Sequence, residues 1–276
     1  MTANNPRLGE VGDQVAPRDS RYGDVDISAA AALMADPARA SMLMALNDGR
    51  SLPATRLADE AGVSAQSASN HLRKLVEGGL LQVTVSGRHR YYALASDAVG
   101  VALEGLAGIG RPRVITSLRE GTRANALRTA RTCYDHLAGK LGVLTAQALL
   151  DHGAVVRADG HTDTTRRPGD PLTAGTGDAT LYRLGPAADE VLPAVGVDST
   201  TLTAAKSARP LIRACVDWTE QRHHFAGQLG AALTTAWLDA GWISRGSHNR
   251  AITVSNRGIR ELKATLGVDL DAATRR

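Results

Sequence analysis

The sequence predicts a mainly α fold with small β-hairpins, that is, an α+β protein. Apolar residues recur at helical spacing in several segments that end at glycine, a pattern typical of amphipathic helices. Short runs rich in β-branched and aromatic residues, such as LLQVTV and RYYAL, flank a polar turn and predict a hairpin. Aromatic residues make up 3% of the chain while alanine and glycine are abundant, so we expect helices that pack through small side chains.

Length and charge restrict the class of protein. At 276 residues the chain is too long for one small domain, and two or three domains are expected. The net charge of +4 favours an anionic partner. The excess lies in residues 111–276, which hold 22 basic and 16 acidic side chains, against 10 and 12 in residues 1–110.

The cellular compartment is predicted from the lack of membrane-spanning and signal-peptide patterns in the sequence. No run of residues is apolar and long enough to cross a membrane, and the first residues lack the basic and apolar regions of a signal peptide. The chain contains two cysteines. We therefore expect a cytoplasmic protein with free thiols and no membrane partner.

The segment Leu57–Gly79 predicts two helices joined by a tight turn at Gly62. Ser64 is placed to cap the second helix, since its hydroxyl can accept a hydrogen bond from a free N–H group in the first turn. Apolar residues then recur at helical spacing and predict the buried stripe of that helix: Ala68, Leu72, Leu75 and Val76.

The other face of this second helix is polar. It carries hydroxyl, amide and basic side chains: Ser64, Gln66, Ser67, Ser69, Asn70, His71, Arg73 and Lys74. No acidic residue interrupts the surface between Ala61 and Val76. Amide and hydroxyl groups can hydrogen-bond to base edges and cations can bind phosphates, so this surface suits the major groove of double-stranded DNA. The pattern predicts a helix-turn-helix.

A hairpin follows directly. Leu80–Val85 and Arg90–Leu94 predict its strands, and its tip carries Arg88, His89 and Arg90. A hairpin with a basic tip after a recognition helix is typical of a wing, which reaches the adjacent DNA backbone or minor groove. The plainer interpretation is a solvated amphipathic helix beside an ordinary hairpin. The agreement of turn, cap, basic face and wing favours DNA binding.

These motifs resemble the ArsR family of winged-helix repressors over residues 28–108. Asp36-Pro37 opening a helix, LADEAGVS, HLRKL, EGGLL and GRHRYYAL carry the resemblance. It implies that Ser64–Lys74 reads DNA. It also implies a homodimer in which helices around Ala29–Met34 and Val99–Leu106 pair between subunits.

The resemblance gives no support to metal sensing at the places familiar in that family. Its best-known metal sensors carry a Cys-x-Cys pair in the helix before the turn, where this chain reads PATRLADEA. Others use Asp and His ligands in the last helix, and SDAVGVALEGLAG lacks histidine.

The second half of the chain contains a repeat. One copy begins Arg131-Thr132-Cys133-Tyr134-Asp135 and continues as HLAGKLG. The other begins Arg213-Ala214-Cys215-Val216-Asp217 and continues, after an insertion, as HFAGQLG. Each copy goes on to an apolar helix, a pair of strands and a last helix that runs into Gly-Val-Asp. The order helix, turn, helix, strand, loop, strand predicts two degenerate winged-helix-like units that are built to pack.

The predicted organisation therefore has five segments. Residues 1–25 are a disordered tail and residues 26–110 a winged helix-turn-helix domain for DNA binding and dimerisation. Residues 111–130 are a basic linker helix, which either connects the domains or contacts phosphates beside the wing. Residues 131–199 form the first repeat and residues 207–276 the second repeat.

The two cysteines occupy equivalent positions in the repeats, and each is followed by a histidine. If the repeats pack about a pseudo-twofold axis, Cys133, His136, Cys215 and His224 converge as a tetrahedral zinc set. His223 is an adjacent substitute. The plainer interpretation is buried cysteines and partner-bonded histidines, so the cofactor is left open, with zinc as the candidate.

An effector pocket between the repeats is the third alternative. Its polar groups would come from Arg131, Asp135, Arg213 and Asp217, and its apolar walls from Tyr134, Trp218, Trp237 and Trp242. A hydrophobic core explains the same tryptophans. The effector would be a small molecule or a metal.

The motifs do not predict an enzyme. Neither GxxxxGK[ST] nor G-x-S-x-G occurs, and His161, Asp163 and Asp170 lack a spacing that would direct them together. The sequence instead predicts a dimeric transcriptional repressor that an effector in the repeats releases from DNA. The alternatives are a zinc-stabilised or thiol- or metal-sensing regulator, and an architectural DNA-binding protein of low specificity.

Overall fold

The computed structural model describes residues 26–87, 89–111, 118–168, 170, 181–204, 207, 209–246 and 250–270. The predicted disordered tail, residues 1–25, lies outside the described residues. Two hydrophobic cores organise the rest, one in residues 42–103 and one in residues 130–270.

The first core belongs to a winged helix-turn-helix, which confirms the predicted fold class. Its elements are α1 (Ser28–Ala35), α2 (Pro37–Leu46), β1 (Leu52–Pro53), α3 (Ala54–Ala61), α4 (Ala65–Glu77), β2 (Leu81–Ser86), β3 (His89–Leu94) and α5 (Asp97–Ile109). The three strands form an antiparallel sheet in the order β1-β3-β2.

Local chemistry sets the helix boundaries. Asp36 caps α2 by accepting a hydrogen bond from the Arg39 N–H at 2.9 Å, and Pro37 occupies the first helical position, where its missing N–H costs nothing. Helix α3 ends at Gly62, whose φ of 66° lies in the left-handed region that favours glycine. Ser64 accepts from the Ser67 N–H at 3.2 Å and starts α4.

The turn and cap direct one stripe of α4 inward. Ala68, Leu72 and Leu75 are fully buried against Leu57 of α3 and Leu43 of α2, as the helical spacing predicts. The opposite face of α4 is exposed to solvent. The wing pairs β2 with β3 in a register that runs from Leu81↔Leu94 to Ser86↔His89.

The second half starts with α6 (Leu118–Thr129), in the segment predicted as a basic linker. The first repeat contains β4 (Arg131–Cys133), β5 (His136–Ala138), α7 (Gly139–Asp151), β6 (Val155–Arg157), β7 (Tyr182–Leu184), α8 (Ala188–Ala194) and α9 (Ser199–Ala204). The second repeat contains β8 (Arg213–Val216), β9 (His223–Ala226), α10 (Gly227–Asp239), β10 (Ile243–Arg245), β11 (Ile252–Val254) and α11 (Asn256–Leu266).

Both repeats thus run hairpin, helix, hairpin, helix, and they share one core. The expected winged-helix-like order is wrong at its first element, because each copy opens with a β-hairpin rather than a helix and a turn. Gly139 and Gly227 explain the difference. Each adopts a left-handed φ, 74° and 79°, where the second strand turns into the helix, so the H-x-A-G segment cannot continue as one helix.

The helices of the described ranges include none that is long and apolar enough to cross a lipid bilayer.

Candidate functional site

The polar face of α4 projects into solvent beside the wing. Ser64, Gln66, Ser69, Asn70, Arg73 and Lys74 are exposed, and Ser67 and His71 are half-buried at the edge of the face. Arg73 lies 3.4 Å from Glu77, one helical turn away, and both side chains are 61% exposed. Such an exposed pair contributes little to stability, so Arg73 remains available to a partner.

His71 has a structural contact as well. Its Nδ1 lies 3.7 Å from an oxygen of Asp36, the residue that caps α2. The hydrogen bond from the Arg39 N–H lowers the pKa of Asp36, so this carboxylate is charged and can attract the imidazole. The His71 ring therefore lies between the polar face of α4 and the start of α2.

The wing presents basic and apolar groups side by side. His89 and Arg90 are exposed near its tip, whereas Arg88 lies outside the described residues. Val83 and Val85 of β2 are 40% and 66% exposed on the same hairpin. The sequence predicted the basic tip but not the exposed valines, which lie in a strand whose residues after Leu81 are all exposed.

The four cysteine and histidine side chains of the repeats lie together. Cys133 pairs across the hairpin with His136, and Cys215 pairs across the equivalent hairpin with His224. One candidate ligand atom from each residue lies within 4.8 Å of all the others, and the two Sγ atoms are 3.8 Å apart. The side chains form a closed, buried Cys/His cluster: Cys133, His136, Cys215 and His224.

Burial shifts the pKa values of two members of this cluster. It raises the pKa of the Cys133 thiol well above its ordinary value and lowers the pKa of His224 well below its ordinary value. At neutral pH the Cys133 side chain is therefore a thiol and the His224 side chain a neutral imidazole. A group that binds here must displace a thiol proton.

His223 lies on the other face of its strand. Its Nδ1 is 2.9 Å from the Tyr182 hydroxyl, and its Nε2 is 3.7 Å from Asp170. Burial lowers the pKa of His223 to about 4. Adjacent residues of a strand point to opposite faces, so His223 is not a substitute ligand for the cluster.

The residues predicted to bind an effector lie at the junction of the repeats, where some of them already have partners within the protein. Arg131 donates to Asp217 at 2.8 Å, and its guanidinium lies 4.3 Å from the ring centre of Trp218. Asp135 is held by Arg209, one bond of the pair being 2.8 Å. Arg213 is half-buried at the start of β8.

Asp217 is the centre of this junction. It also accepts from the Gly139 N–H and from the hydroxyl of Thr219, both at 2.6 Å. Burial alone would raise the pKa of Asp217, but the charge of Arg131 and these donors hold it well below its ordinary value. The carboxylate is therefore charged, and its hydrogen-bond partners in the described residues come from both repeats.

Two of the four apolar residues of the proposed pocket, Trp237 and Trp242, belong to the core. Trp237 and Trp242 are buried with their rings 5.8 Å apart, and the Trp237 indole N–H donates to the Val195 carbonyl. A cavity between the repeats has a volume of about 10 Å³ and is lined by Leu137, Thr145, Phe225 and Leu233, among others. That volume accommodates about one water molecule.

The polar loop after β6 is organised by Arg157. Its guanidinium is fully buried and donates to Asp159 and Asp170, both at 2.9 Å. Asp163 pairs with Arg167, and His161 is exposed. The acids of this loop thus serve as counterions of two arginines.

A buried polar junction between the winged helix and the repeats was missed from the sequence. Asn47, at the end of α2, donates to Glu104 of α5, and Arg250 reaches Glu104 at 3.5 Å and the Asn47 carbonyl at 3.4 Å. Each of these side chains is at most 6% exposed. The one local signal is Glu104 itself, an acid among the apolar residues that follow the first turn of α5.

Comparison with known proteins gives three results. Residues 34–84 match the protein family described as "Helix-turn-helix domain". The cadmium metal-sensor CmtR of Mycobacterium tuberculosis has a solved structure that is 33% identical, covers 33% of this chain and 98% of its own, and has a TM-score of 0.26. The curated CmtR sequence of strain H37Rv is 41% identical over 70 residues, which are 25% of this chain and 58% of CmtR.

One relative extends through both halves of the chain. YdfF of Bacillus subtilis (strain 168), an uncharacterized HTH-type transcriptional regulator, is 36% identical over 233 residues. The match covers 84% of this chain and 93% of YdfF, so it includes the repeats as well as the winged helix. Identity at this level over most of both chains shows that this protein belongs to the family of HTH-type transcriptional regulators.

Proposed function

We propose that this protein is a sequence-specific DNA-binding transcriptional regulator that acts as a dimeric repressor and is released by an effector bound in its repeats. The single observation that carries the proposal is the exposed face of α4. Its amide, hydroxyl and basic groups stand in solvent on a helix whose other face is fixed in the core. The groups are those that base edges and phosphates require.

The proposed DNA contacts come from two elements. Ser64, Gln66, Ser67, Ser69, Asn70, His71, Arg73 and Lys74 would lie along the major groove, and Arg88, His89 and Arg90 would reach the adjacent backbone or minor groove. Two copies of the winged helix would occupy half-sites about 34–36 Å apart. A pseudo-palindromic operator would match this symmetry.

Exposed apolar residues support the dimer. Helix α1 has the sequence SAAAALMA, and all its residues are exposed or half-buried. Ile27 before α1 is 73% exposed, and Leu106 and Ile109 of α5 are 49% and 65% exposed. Burial of these side chains against a second copy would stabilise an association through α1 and α5.

An effector in the repeats would act through the junction with the winged helix. The groups proposed to contact it are Arg131, Tyr134, Asp135, Arg213, Asp217 and Trp218. A coupling free energy of about 1–3 kcal/mol changes DNA affinity several-fold or more. A metal- or thiol-dependent version of the regulator is favoured by one observation, the convergence of the Cys/His cluster.

The experiment measures DNA affinity against salt concentration. Operator fragments are selected from random duplexes, and binding is followed by fluorescence anisotropy for the wild type, Arg73→Ala and Lys74→Ala. We expect each variant to bind more weakly and, where a phosphate contact is lost, to reduce the slope of log K against log salt by about 1.

The matched control is Arg260→Ala, which removes an exposed arginine from α11 in the second repeat. It should leave both affinity and slope unchanged. Equal affinity of the wild type and both α4 variants would contradict the assignment of α4 as the helix that contacts DNA. Equal affinity for the selected operator and for random duplex would contradict sequence-specific repression. It would instead favour an architectural DNA-binding protein of low specificity.

A further inference from the structure

The Cys/His cluster has the composition and spacing of a metal site. Each hairpin contributes one cysteine and one histidine in direct cross-strand register, Cys133↔His136 and Cys215↔His224. The cysteines are 1% and 5% exposed, and the histidines 5% and 1%. The two chain segments that supply the ligands are about 80 residues apart in sequence, and the packing of the repeats brings them together.

The geometry of the sulfur atoms fits a tetrahedral ion. A tetrahedron with metal–sulfur bonds of about 2.3 Å has a sulfur–sulfur edge of about 3.8 Å. The Sγ atoms of Cys133 and Cys215 are 3.8 Å apart. The imidazole rings lie beside them, stacked with their centres 5.1 Å apart, and all four candidate ligand atoms lie within 4.8 Å of one another.

The imidazole nitrogens give an independent indication. Within the described residues, Nε2 of His136 and both ring nitrogens of His224 are buried without a hydrogen-bond partner. A buried polar nitrogen that bonds to nothing is costly. A metal ion at the centre of the cluster would take one lone pair from each ring and so give a partner to Nε2 of His136 and to one nitrogen of His224.

A carboxylate lies near the Nδ1 atom of each imidazole ring. Nδ1 of His136 is 3.4 Å from Asp135, and Nδ1 of His224 is 3.7 Å from Asp217. Metal-binding histidines usually direct their second nitrogen at a carboxylate, which orients the ring and increases its basicity. Asp135 and Asp217 are themselves held by Arg209 and Arg131, so this outer shell is fixed before any ion binds.

The charge balance also favours a divalent ion. As the ion binds, the two thiols release two protons to solvent, and the two thiolates balance its double positive charge. The loaded cluster is then neutral, which avoids the cost of an unpaired buried charge. Thiolate and imidazole are the ligands that zinc and chemically similar ions prefer.

A disulfide explains less of the structure. It would use the two sulfur atoms and leave the His136 and His224 nitrogens buried without partners. The cysteines are also enclosed, which keeps solution oxidants away from them. The four ligands leave no open position for a substrate, so the site is of the closed, non-catalytic kind.

The cluster is bonded directly to the winged helix. Tyr134, directly after Cys133, makes this bond: its N–H donates to the Asn47 carbonyl at 2.7 Å. On the other side of Cys133, the Thr132 N–H donates to the carbonyl of Arg250, in the second repeat, at 2.9 Å. The Tyr134 hydroxyl bonds to Asp97 of α5. Tyr134 has a φ of 58°, an unfavourable conformation for tyrosine that these contacts maintain.

The path from the cluster to the proposed DNA-reading helix is short. Asn47 ends α2, and α2 packs against both α3 and α4. The same Asn47 carbonyl accepts from Arg250, which connects the second repeat to Glu104 of α5. A change in the position of Cys133 must therefore alter contacts at the ends of α2 and α5.

We propose that Cys133, His136, Cys215 and His224 bind one divalent ion of the zinc class, which fastens the two repeats together and controls the winged helix through Thr132 and Tyr134. The binding site rests on the cluster alone. The control of the winged helix rests in addition on the proposed DNA-binding function.

The first experiment measures metal binding by the full chain. Reduced protein is stripped with a chelator, and Zn²⁺ or Co²⁺ is added alone. We expect one ion per chain by elemental analysis, a rise in melting temperature with Zn²⁺, and thiolate-to-Co²⁺ charge transfer with the strong visible absorption of tetrahedral Co²⁺. Cys133→Ser and His224→Asn should lose these signals, whereas His223→Gln should keep them.

The ligand variants replace buried residues and can lose metal binding through misfolding. The measurements on the wild type therefore decide the proposal without the variants. No uptake of Zn²⁺ and an unchanged melting temperature in the stripped, reduced wild type would overturn the site. A Co²⁺ spectrum without thiolate charge transfer would do the same. An intact mass reduced by two hydrogens, with no metal, would replace the site by a Cys133–Cys215 disulfide.

The second experiment compares the DNA affinity of stripped and Zn²⁺-loaded wild type. We expect a difference of at least about fivefold. Equal affinities with one bound ion would overturn the control of the winged helix and leave the site in place. If neither form binds DNA, the proposed DNA-binding function is wrong, and so is the proposed effect of the metal on the winged helix. The metal stoichiometry from the first experiment would still decide whether the binding site exists.

Discussion

At the scale of single residues, buried charges hold the two repeats together. Arg131 and Asp217 are 1% and 0% exposed and come from different repeats. A buried ion pair is stable only when both partners are fully bonded, and removing one partner leaves an uncompensated charge. Asp217 meets this condition through Arg131, the Thr219 hydroxyl and the backbone N–H groups of Gly139, Thr219 and Glu220.

A double-mutant cycle tests this pair. We expect Arg131→Met and Asp217→Asn each to lower the free energy of unfolding by about 3 kcal/mol, since each leaves the other group buried without its partner. The double variant should lose at least about 1 kcal/mol less than the sum of the single losses. Urea unfolding measures all three values. Additivity within about 0.5 kcal/mol would show that the two residues act independently.

At the scale of elements, each repeat places its first helix against the histidine of the other. A Cβ atom on Gly142 of α7 would lie 3.4 Å from the Cβ of His224, and one on Gly230 of α10 would lie 3.0 Å from the Cβ of His136. The same atoms would lie 2.5 Å and 2.2 Å from the carbonyl oxygens of Leu137 and Phe225. Glycine at these positions therefore permits the close approach that brings the cluster together.

Gly230→Ala tests this packing. The added methyl group would overlap the backbone of β9, which cannot move without displacing His224, so we expect a loss of about 1–3 kcal/mol in the free energy of unfolding. Gly105→Ala is the control, because a Cβ there would have open space around it among the described residues. Alanine is the better helix former and should stabilise α5 by up to about 1 kcal/mol. Equal effects of the two substitutions, measured by urea unfolding, would contradict the packing argument.

The wing and α4 form the other functional pair of elements. Their positions follow from local chemistry: the Ser64 cap, the Gly62 turn and the β2–β3 register. Because these signals are local, the sequence predicted both elements and the exposed face between them. The position of half-buried His71 beside Asp36 was not predicted, since this approach is between α4 and the start of α2.

At the scale of the whole molecule, the proposed dimer requires the exposed apolar surface of α1 and α5. We expect the double variant Leu106→Glu and Ile109→Glu to halve the molecular mass measured by light scattering. Two buried charges per subunit would oppose the association. Operator affinity should fall as well, because one winged helix reaches only one half-site.

The control for the dimer is Val85→Glu. It places a charge on an equally exposed apolar residue of the wing, 66% exposed, away from α1 and α5. This variant should keep the mass of the wild type. A wild type that is a monomer at all concentrations would contradict the proposed association before any variant is made.

The sequence by itself determined the parts of this protein that depend on near neighbours. The winged helix, its polar face and its basic wing follow from turn, cap and periodicity within Leu57–Leu94. The repeat followed from matched motifs, and with it the pairing of Cys133 with His136 and of Cys215 with His224. What the motifs did not determine was that these pairs lie on β-hairpins, because the left-handed conformations of Gly139 and Gly227 are visible only in the backbone.

The tertiary structure decided which groups meet. It brought the two Cys–His pairs into one cluster, turned His223 away from it, and joined Arg131 to Asp217 across the two repeats. It also created the junction of Asn47, Glu104 and Arg250, whose members are up to about 200 residues apart. The physical reason is that contacts between distant segments depend on how helices and hairpins pack, and local patterns carry no record of that packing.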